Sequence, residues 1–128
     1  RQNIMLINSF YNIISSTQLA DGSYRYEVSL DGRHEIFKGH FPKLPVLPGV
    51  CILQIVKDIV EDIVGYKLRL RQASNVKFMS LIMPDRSDNR LTFVLNISRK
   101  DDTSWVVKNT TSQNDITVVK LTNIYQSV

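Results

Sequence analysis

Cysteine is almost absent from this chain of 128 residues, in which Cys51 is the only one. A disulfide within the chain is therefore excluded, and a reducing compartment is the simpler expectation. Because Cys51 lies in the apolar run Val50-Cys51-Ile52-Leu53, we interpret it as a buried structural thiol and not as a reactive one. Cysteine and histidine show no zinc-site spacing, so we expect neither a metal nor a cofactor.

Long apolar runs are missing as well. No stretch approaches the roughly 20 apolar residues that a membrane-spanning helix needs, and the first segment, Arg1–Asn8, is too short for a secretory signal. We therefore expect a cytoplasmic protein without a membrane partner. Internal repeats, low-complexity tracts and linkers are also lacking. The length suits one ordinary domain, so residues 1–128 are predicted to form a single domain.

The chain carries a balanced composition with an excess of positive charge. Hydrophobic residues make up 43% and charged residues 22%, with a formal net charge of +4, which is typical of globular proteins. The excess permits an acidic partner, either nucleic acid or an acidic carrier protein. Nucleic acid is not expected, because no helix-turn-helix pattern or RNA-binding aromatic signature accompanies the charge.

One candidate cationic surface can be read directly from the sequence. Lys67, Arg69 and Arg71 alternate with Leu68 and Leu70, so on a strand the three cations would share one face. A solvated sheet face is the simpler interpretation of this stripe. A docking patch for a carrier protein is the alternative.

The first third of the chain is predicted to form a hairpin followed by a stiff loop. Tyr24 to Leu30 alternates apolar with polar residues, and Asp21-Gly22 before it is a turn signal. The segment from Phe10 to Leu19 is rich in β-branched and aromatic residues and would pair with this strand. From Arg33 to Pro48 no clean period is present, and three prolines, Pro42, Pro45 and Pro48, exclude regular helix or central strand.

One long helix is predicted from about Gly49 to Val64, ending at Gly65. Its apolar residues cover most of the circumference and leave a polar stripe of Gln54, Lys57, Asp58 and Glu61. Strand-like segments follow at 67–72, 75–82, 91–99 and 104–125, the last with a break near Gln113-Asn114. The order indicates an α+β fold in which an antiparallel sheet wraps one long central helix. Since one helix cannot cover such a sheet, a homodimer or a related hetero-oligomer is expected.

The loop before the helix carries the strongest chemical signal. Gly39-His40-Phe41-Pro42 places a histidine in a restricted loop that leads into a helix N-terminus. The unpaired N–H groups and the positive dipole end at that terminus suit an oxygen that becomes negative during a reaction. His40 is therefore a candidate base, with a histidine merely hydrogen-bonded within the loop as the alternative. His34, in a predicted turn or strand start, is the weaker candidate.

The run from His40 to Val50, HFPKLPVLPGV, resembles the motif of the bacterial 3-hydroxyacyl-acyl-carrier-protein dehydratases of fatty acid synthesis. Asn75 to Met79, with Pro84-Asp85 further on, is similar to the strand and turn that follow the helix in that family. The resemblance spans roughly residues 5 to 125, and its central part of about thirty residues is the distinctive one. It implies a hot-dog fold, in which a dimer binds acyl chains linked to the phosphopantetheine of an acyl carrier protein.

The resemblance also implies roles for individual residues. His40 would remove the α-proton of a 3-hydroxyacyl thioester, and the Gly49 N–H would polarise the thioester carbonyl. Phe41, Pro48 and Val50 complete the expected substrate-binding residues. In the family, the departing hydroxyl is protonated by a Glu or Asp on the central helix, contributed from the partner subunit. That acid falls on Gln54 in this chain, and an amide cannot supply the proton.

A second departure lies one helical turn later, where the family commonly has Gln and this chain has Asp58. Positions i and i+4 share a helix face, so Asp58 is a hypothetical displaced acid. The alternative is that Asp58 belongs to an ordinary polar stripe with Lys57 and Glu61. Lys43, where the family frequently has Gly, adds a cation near the expected phosphopantetheine entrance. The sequence thus predicts a dehydratase with His40 as base and either Gln54 orienting a water or Asp58 acting as the displaced acid. Its alternatives are a weak or inactive subunit that binds acyl carriers, and a hot-dog thioesterase.

Overall fold

The computed structural model describes residues 10–32, 46–83 and 89–128, and all structural statements refer to these ranges. The described elements are, in chain order, β1 (Tyr11–Gln18), β2 (Tyr24–Leu30), α1 (Gly49–Val64), β3 (Leu68–Phe78), β4 (Arg90–Asp101), β5 (Ser104–Gln113) and β6 (Ile116–Ser127). The six strands form one antiparallel sheet in the order β1-β2-β4-β5-β6-β3. The expected α+β architecture, a sheet around one long helix, is confirmed.

The core lies between α1 and one face of the sheet. The fully buried helix residues Ile52, Ile55, Val56 and Ile59 share a core cluster with Phe93, Leu95 and Val107 of the central strands. These strand residues alternate with outward-facing ones, which is the period of a half-buried strand. Cys51 belongs to the same cluster at 5% exposure, so the interpretation as a buried thiol is confirmed, and its burial raises the pKa of the thiol to about 11.

One hairpin turn and the end of α1 lie at residue types that tolerate a left-handed backbone conformation. The hairpin between β5 and β6 places Asn114 and Asp115 at φ 54° and 64°, the left-handed values that a tight two-residue hairpin turn requires and that these residue types tolerate. The helix ends at Gly65, whose φ of 82° is left-handed. Both the break near Gln113-Asn114 and the helix stop were predicted.

The strand after the helix differs from the prediction. Two segments, 67–72 and 75–82, were expected, whereas one strand, β3, runs from Leu68 to Phe78 and pairs only with β6 among the described strands. It continues through two register shifts, one between Leu70 and Gln72 and one between Ser74 and Lys77. Asn75 absorbs the second with a φ of 53°. Bulges of this kind let a strand bend and continue, which a period-2 search does not recognise.

No helix in the described ranges is long and apolar enough to cross a membrane.

Candidate active site

The described residues supply no side-chain cap at the start of α1. Pro48 is the N-cap residue, and within the described ranges no side chain caps the first turn and no acidic residue lies in it. The first N–H groups of a helix have no partner inside the helix and stand at the positive end of its dipole. This end of α1 can therefore receive a carbonyl oxygen or another electron-rich atom.

Gly49 allows the ring of Phe78 to lie against the helix start. A Cβ built on Gly49 would stand 2.9 Å from Cζ of Phe78. The Leu47 N–H donates to the Ile82 carbonyl oxygen at 2.7 Å, so the chain entering α1 runs beside the chain leaving β3. The end of β3 thus packs against the start of α1.

Asp58 is buried, and so is Glu61 of the same polar stripe. The side chain of Asp58 is only 2% exposed. The Tyr11 hydroxyl donates to Oδ2 of Asp58 at 2.5 Å, and Gln54 Nε2 donates to Oδ1 of Asp58 at 2.8 Å. A buried carboxylate needs such donors, because burial without them is very unfavourable. The helix can bury this polar residue because β1 brings a tyrosine hydroxyl to it.

In the hydrogen bond between Gln54 and Asp58, Gln54 is the donor and Asp58 is the acceptor. The amide nitrogen of the half-buried Gln54 is directed at Asp58, and both oxygens of Asp58 accept hydrogen bonds. Asp58 therefore acts in the described structure as an acceptor that orients its neighbours. The i, i+4 spacing brings the two side chains together as expected, while their chemical roles stay predictions.

Tyr11 is the residue that the sequence analysis missed. It lies 47 positions from Asp58 in the chain and was recognised only as part of an aromatic, β-branched strand. The other residues of β1 are exposed, so Tyr11 is the buried residue through which this edge strand reaches the helix. No local pattern signals a contact of this range.

The layer between helix and sheet contains further polar groups. The Tyr125 hydroxyl accepts a hydrogen bond from Asn123 Nδ2 at 3.0 Å. Burial, together with the nearby carboxylates Asp58 and Glu61, raises the pKa of Tyr125 to about 12, so this phenol stays neutral at physiological pH. In the described ranges the buried Oδ1 atoms of Asn109 and Asn123 have no hydrogen-bond partner. The layer is therefore not wholly apolar.

The predicted site residues divide into two groups. One group lies on α1 or at its start: Pro48, Gly49, Val50, Gln54 and Asp58. Of these, Val50 is exposed at 70%. His40, Phe41 and His34 lie outside the described residues, so the base itself remains a prediction. Within the described ranges no cluster of three or more His, Cys, Asp or Glu side chains could hold a metal ion.

Solved structures with the same fold define the class of the protein. A protein of the dehydratase heterocomplex ApeI:P from Xenorhabdus doucetiae is 22% identical, with 90% of this chain and 96% of that chain covered and a TM-score of 0.69. The PaaI protein of the phenylacetic acid degradation operon of E. coli is 12% identical, with 92% and 79% covered and a TM-score of 0.64. A hypothetical thioesterase from Streptococcus pneumoniae, solved with coenzyme A, is 16% identical, with 92% and 85% covered and a TM-score of 0.63. The chain is therefore a hot-dog-fold protein.

The family is more specific than the fold. The family described as ApeI dehydratase matches residues 16–119. The chain belongs to this ApeI-like dehydratase family, which confirms the dehydratase-like character that the motif predicted. No curated protein sequence matches the chain at a significant level.

Proposed function

We propose that this chain binds 3-hydroxyacyl thioesters carried on an acyl carrier protein and supplies His40, the base, to a dehydratase site whose acid comes from a related partner subunit. Membership of the ApeI-like dehydratase family supports the reaction class. The placement of base and acid on different subunits is supported by Gln54. The resemblance puts the acid at this position, and the amide nitrogen of Gln54 donates to the buried Asp58.

The reaction is an elimination of water. His40 takes a proton from C2, the C2–H electron pair forms the C2=C3 double bond, and the C3–O bond breaks. The departing hydroxyl takes a proton from a carboxylic acid and leaves as water. The open start of α1 with Gly49 stabilises the negative charge that develops on the thioester oxygen, and preorganised N–H donors of this type are worth about a hundred- to a thousand-fold in rate.

Asp58 is a poor source of the missing proton. Its side chain is 2% exposed, and both of its oxygens already accept hydrogen bonds, from Tyr11 and from Gln54. We therefore assign Asp58 to positioning Gln54, not to proton donation. Because the resemblance places base and acid of one site on different subunits, two copies of this chain would form two sites that both lack the acid.

The exposed residues around the helix start support a partner subunit. The backbone hydrogen bond from Leu47 to Ile82 joins the chain segment before α1 to the segment after β3. Apolar side chains with 40% to 70% exposure lie on or next to these two segments: Val50, Phe78, Met79, Leu81 and Met83. Among the described strands, the neighbouring β3 lies at an edge of the sheet. Exposed apolar surface beside an unpaired strand edge is typical of a subunit interface. The related structure from Xenorhabdus doucetiae is a heterocomplex, so a hetero-oligomer is the arrangement we propose, with a homodimer as the alternative.

The proposal is tested with the purified chain, a 3-hydroxyacyl thioester and a 2-enoyl thioester of pantetheine, following dehydration, hydration and thiol release together. We expect slow interconversion by the chain alone and rapid interconversion once an acid-bearing ApeI-like or carrier-dehydratase subunit has been co-expressed and co-purified with it. His40→Ala in this chain should abolish the rapid reaction.

The other outcomes assign other functions. Thiol release without dehydration would identify a thioesterase and contradict the proposal. A complex whose rapid reaction survives His40→Ala would show that this chain only supports an active partner. Substitution of the partner's acid by its amide should also stop the reaction, and full activity after that change would overturn the composite site.

A further inference from the structure

A cationic cleft lies on the outer face of the sheet, on the side opposite α1. It has a volume of about 450 Å³. Three exposed lysines from three neighbouring strands line it, namely Lys77 of β3, Lys120 of β6 and Lys108 of β5. We call it the lysine cleft. Asn75, Asn96 and Thr110 contribute neutral hydrogen-bonding groups to the same walls.

Strand register brings the three charges together. Lys77 and Lys120 are directly opposite in the pairing of β3 with β6. Lys108 pairs with Thr122, and Thr110 pairs with Lys120, so Lys108 and Lys120 are diagonal neighbours. Side chains directly opposite lie about 5 Å apart and diagonal ones about 7–8 Å apart, and like charges at such positions destabilise a sheet. The arrangement is therefore unfavourable for the isolated chain.

Other cations of the chain have a carboxylate partner within ion-pair distance. Arg25, on the same face of the sheet, pairs with Glu27 at 2.7 Å, and Lys57 on the helix pairs with Glu61 at 3.0 Å. Within the described ranges, no such ion pair involves Lys77, Lys108 or Lys120. The acidic residue in the lining is Asp21; its Oδ1 accepts from the N–H and hydroxyl of Ser23. Among the described residues, the cleft thus holds three ammonium groups against one carboxylate, which leaves an excess of positive charge.

A bulge shapes the edge of the cleft. The register of β3 shifts between Ser74 and Lys77, and Asn75 there has a φ of 53°. Bulges change the direction in which a strand presents its side chains and are enriched near functional sites. This one restores Lys77 to the position opposite Lys120 and places Asn75 in the wall.

We infer that the lysine cleft is a docking surface for a carboxylate-rich segment of a partner protein. The charges are spread over three strands, about 10 Å across at the usual strand spacing, which fits several separate carboxylates better than one phosphate group. Lysine offers single flexible charges without the bidentate geometry typical of phosphate recognition. Among the described residues of the lining there is no aromatic side chain on which a nucleic-acid base could stack.

The cleft lies close to the candidate site. Lys77 precedes Phe78, whose ring contacts Gly49 at the helix start, so the cleft and the thioester site occupy opposite faces at the same end of β3. This inference rests on the proposed function in one respect: the acyl carrier is the protein that would bring the acidic segment and the thioester together.

The test compares two triple substitutions with the same change in net charge. One replaces Lys77, Lys108 and Lys120 by Ala, and the control replaces Lys67, Arg69 and Arg71, the stripe singled out in the sequence. Binding of a fluorescently labelled, phosphopantetheinylated acyl carrier protein is measured by anisotropy at low and moderate salt. We expect the first variant to weaken binding about tenfold or more, since three exposed ion pairs together reach that size, and the control to change it less than twofold.

Several results would overturn the docking surface. Equal losses in both variants would mean that only net charge matters, and no loss in the first variant would remove the cleft from the interaction. Tripolyphosphate or a single-stranded oligonucleotide that displaces the carrier from the cleft and binds more tightly would assign it to another ligand. The melting temperature of the first variant should be unchanged or raised, because the Lys77–Lys120 repulsion is gone.

The outcome remains separable from the proposed function. Dehydration of a small pantetheine thioester does not need the carrier, so in the active complex its rate should be the same in the wild-type chain and the lysine variant. Loss of that rate in the variant would contradict a pure docking role. Carrier binding that depends on the three lysines, in a chain without dehydration in any complex, would support the cleft while removing the proposed reaction.

Discussion

The two ends of α1 are built in opposite ways. At the C-terminal end Gly65 adopts a left-handed φ of 82° and its N–H donates to the Glu61 carbonyl oxygen at 2.9 Å. The Glu61 carboxylate accepts from the Leu68 N–H at 2.8 Å and from Lys57 at 3.0 Å. At the N-terminal end, in the described ranges, Pro48 precedes the helix without a side-chain cap.

The difference separates an end whose polar groups are paired within the chain from the end at which we propose that the thioester binds. Every polar group named at the C-terminal end has a partner within the chain, so that end closes the helix onto β3. At the N-terminal end the Cys51 N–H donates to the Pro48 carbonyl oxygen at 2.9 Å, no side chain of the described ranges caps the first turn, and exposed apolar residues lie nearby. Substitutions at the two ends should therefore separate loss of stability from loss of function.

Glu61→Ala should be the most damaging change at the closed end. It leaves the buried Leu68 N–H without its acceptor and removes the partner of Lys57, and such a loss costs about 2–3 kcal/mol. The free energy of unfolding in urea measures it. Glu27→Ala, which removes the exposed pair with Arg25, is the matched control and should cost less than about 0.5 kcal/mol. Equal losses of unfolding free energy in the two variants would show that the contacts of Glu61 stabilise the fold no more than an exposed ion pair does.

Tyr11→Phe should come next, because it removes a hydrogen bond to a buried carboxylate. We expect a loss of about 1.5–2 kcal/mol in the free energy of unfolding. Tyr26→Phe is the control, since the Tyr26 hydroxyl donates to Asp62 at 2.8 Å one turn further along the same helix, where Asp62 is exposed. A loss for Tyr26→Phe as large as for Tyr11→Phe would contradict the special position of Asp58.

The two helix glycines should give opposite results. Gly65→Ala forces a side chain into a left-handed conformation and should cost about 1 kcal/mol of stability without changing thioester binding. In Gly49→Ala the new methyl group would contact only the outer edge of the Phe78 ring, which is 52% exposed. The free energy of unfolding should therefore change by less than about 0.5 kcal/mol, while thioester binding should weaken several-fold. If Gly49→Ala leaves binding intact, the helix start is not the thioester site.

The smallest expected effect is in the pH dependence. Burial alone would raise the pKa of Glu61, but the hydrogen bond from Leu68 and the charge of Lys57 outweigh it and lower the pKa below its usual value. A lowered pKa means stability that is present above the unfolded-state pKa and lost as pH falls through the folded-state value. Unfolding of the wild type and of Glu61→Gln should therefore converge in acid, as followed by urea titration between pH 6 and 3. A difference in the free energy of unfolding that stays constant over this pH range would contradict the ionised state assigned to Glu61.

The sequence predicted the helix better than its surroundings. The helix bounds and the stop at Gly65 follow from local rules, namely apolar periodicity, proline before and glycine after, and the structure confirms them. The burial of Asp58 depends on Tyr11, which reaches it from another strand, so a helix pattern could only place Asp58 on a polar stripe. β3 was split in two because its register shifts interrupt the alternation that identifies strands.

The candidate site could be predicted only in part for the same reason. A motif gives the residues that lie close together in the chain, from Pro48 to Asp58, and the contact of Gln54 with Asp58 follows from helix spacing. The wall formed by Phe78 and the donor Tyr11 come from distant strands. The lysine cleft was not foreseen because its charges lie on three strands whose register no local pattern supplies.

The most direct test of the missing acid is the rate at which this chain alone dehydrates a 3-hydroxyacyl pantetheine thioester, before and after Gln54→Glu. The introduced carboxyl group would lie beside the Asp58 carboxylate, and a like charge favours its protonated form. We predict a slow wild type and a gain of about a hundred- to ten-thousand-fold, abolished again by His40→Ala. A wild-type chain that is already fast alone, or a variant without any gain, would contradict the account.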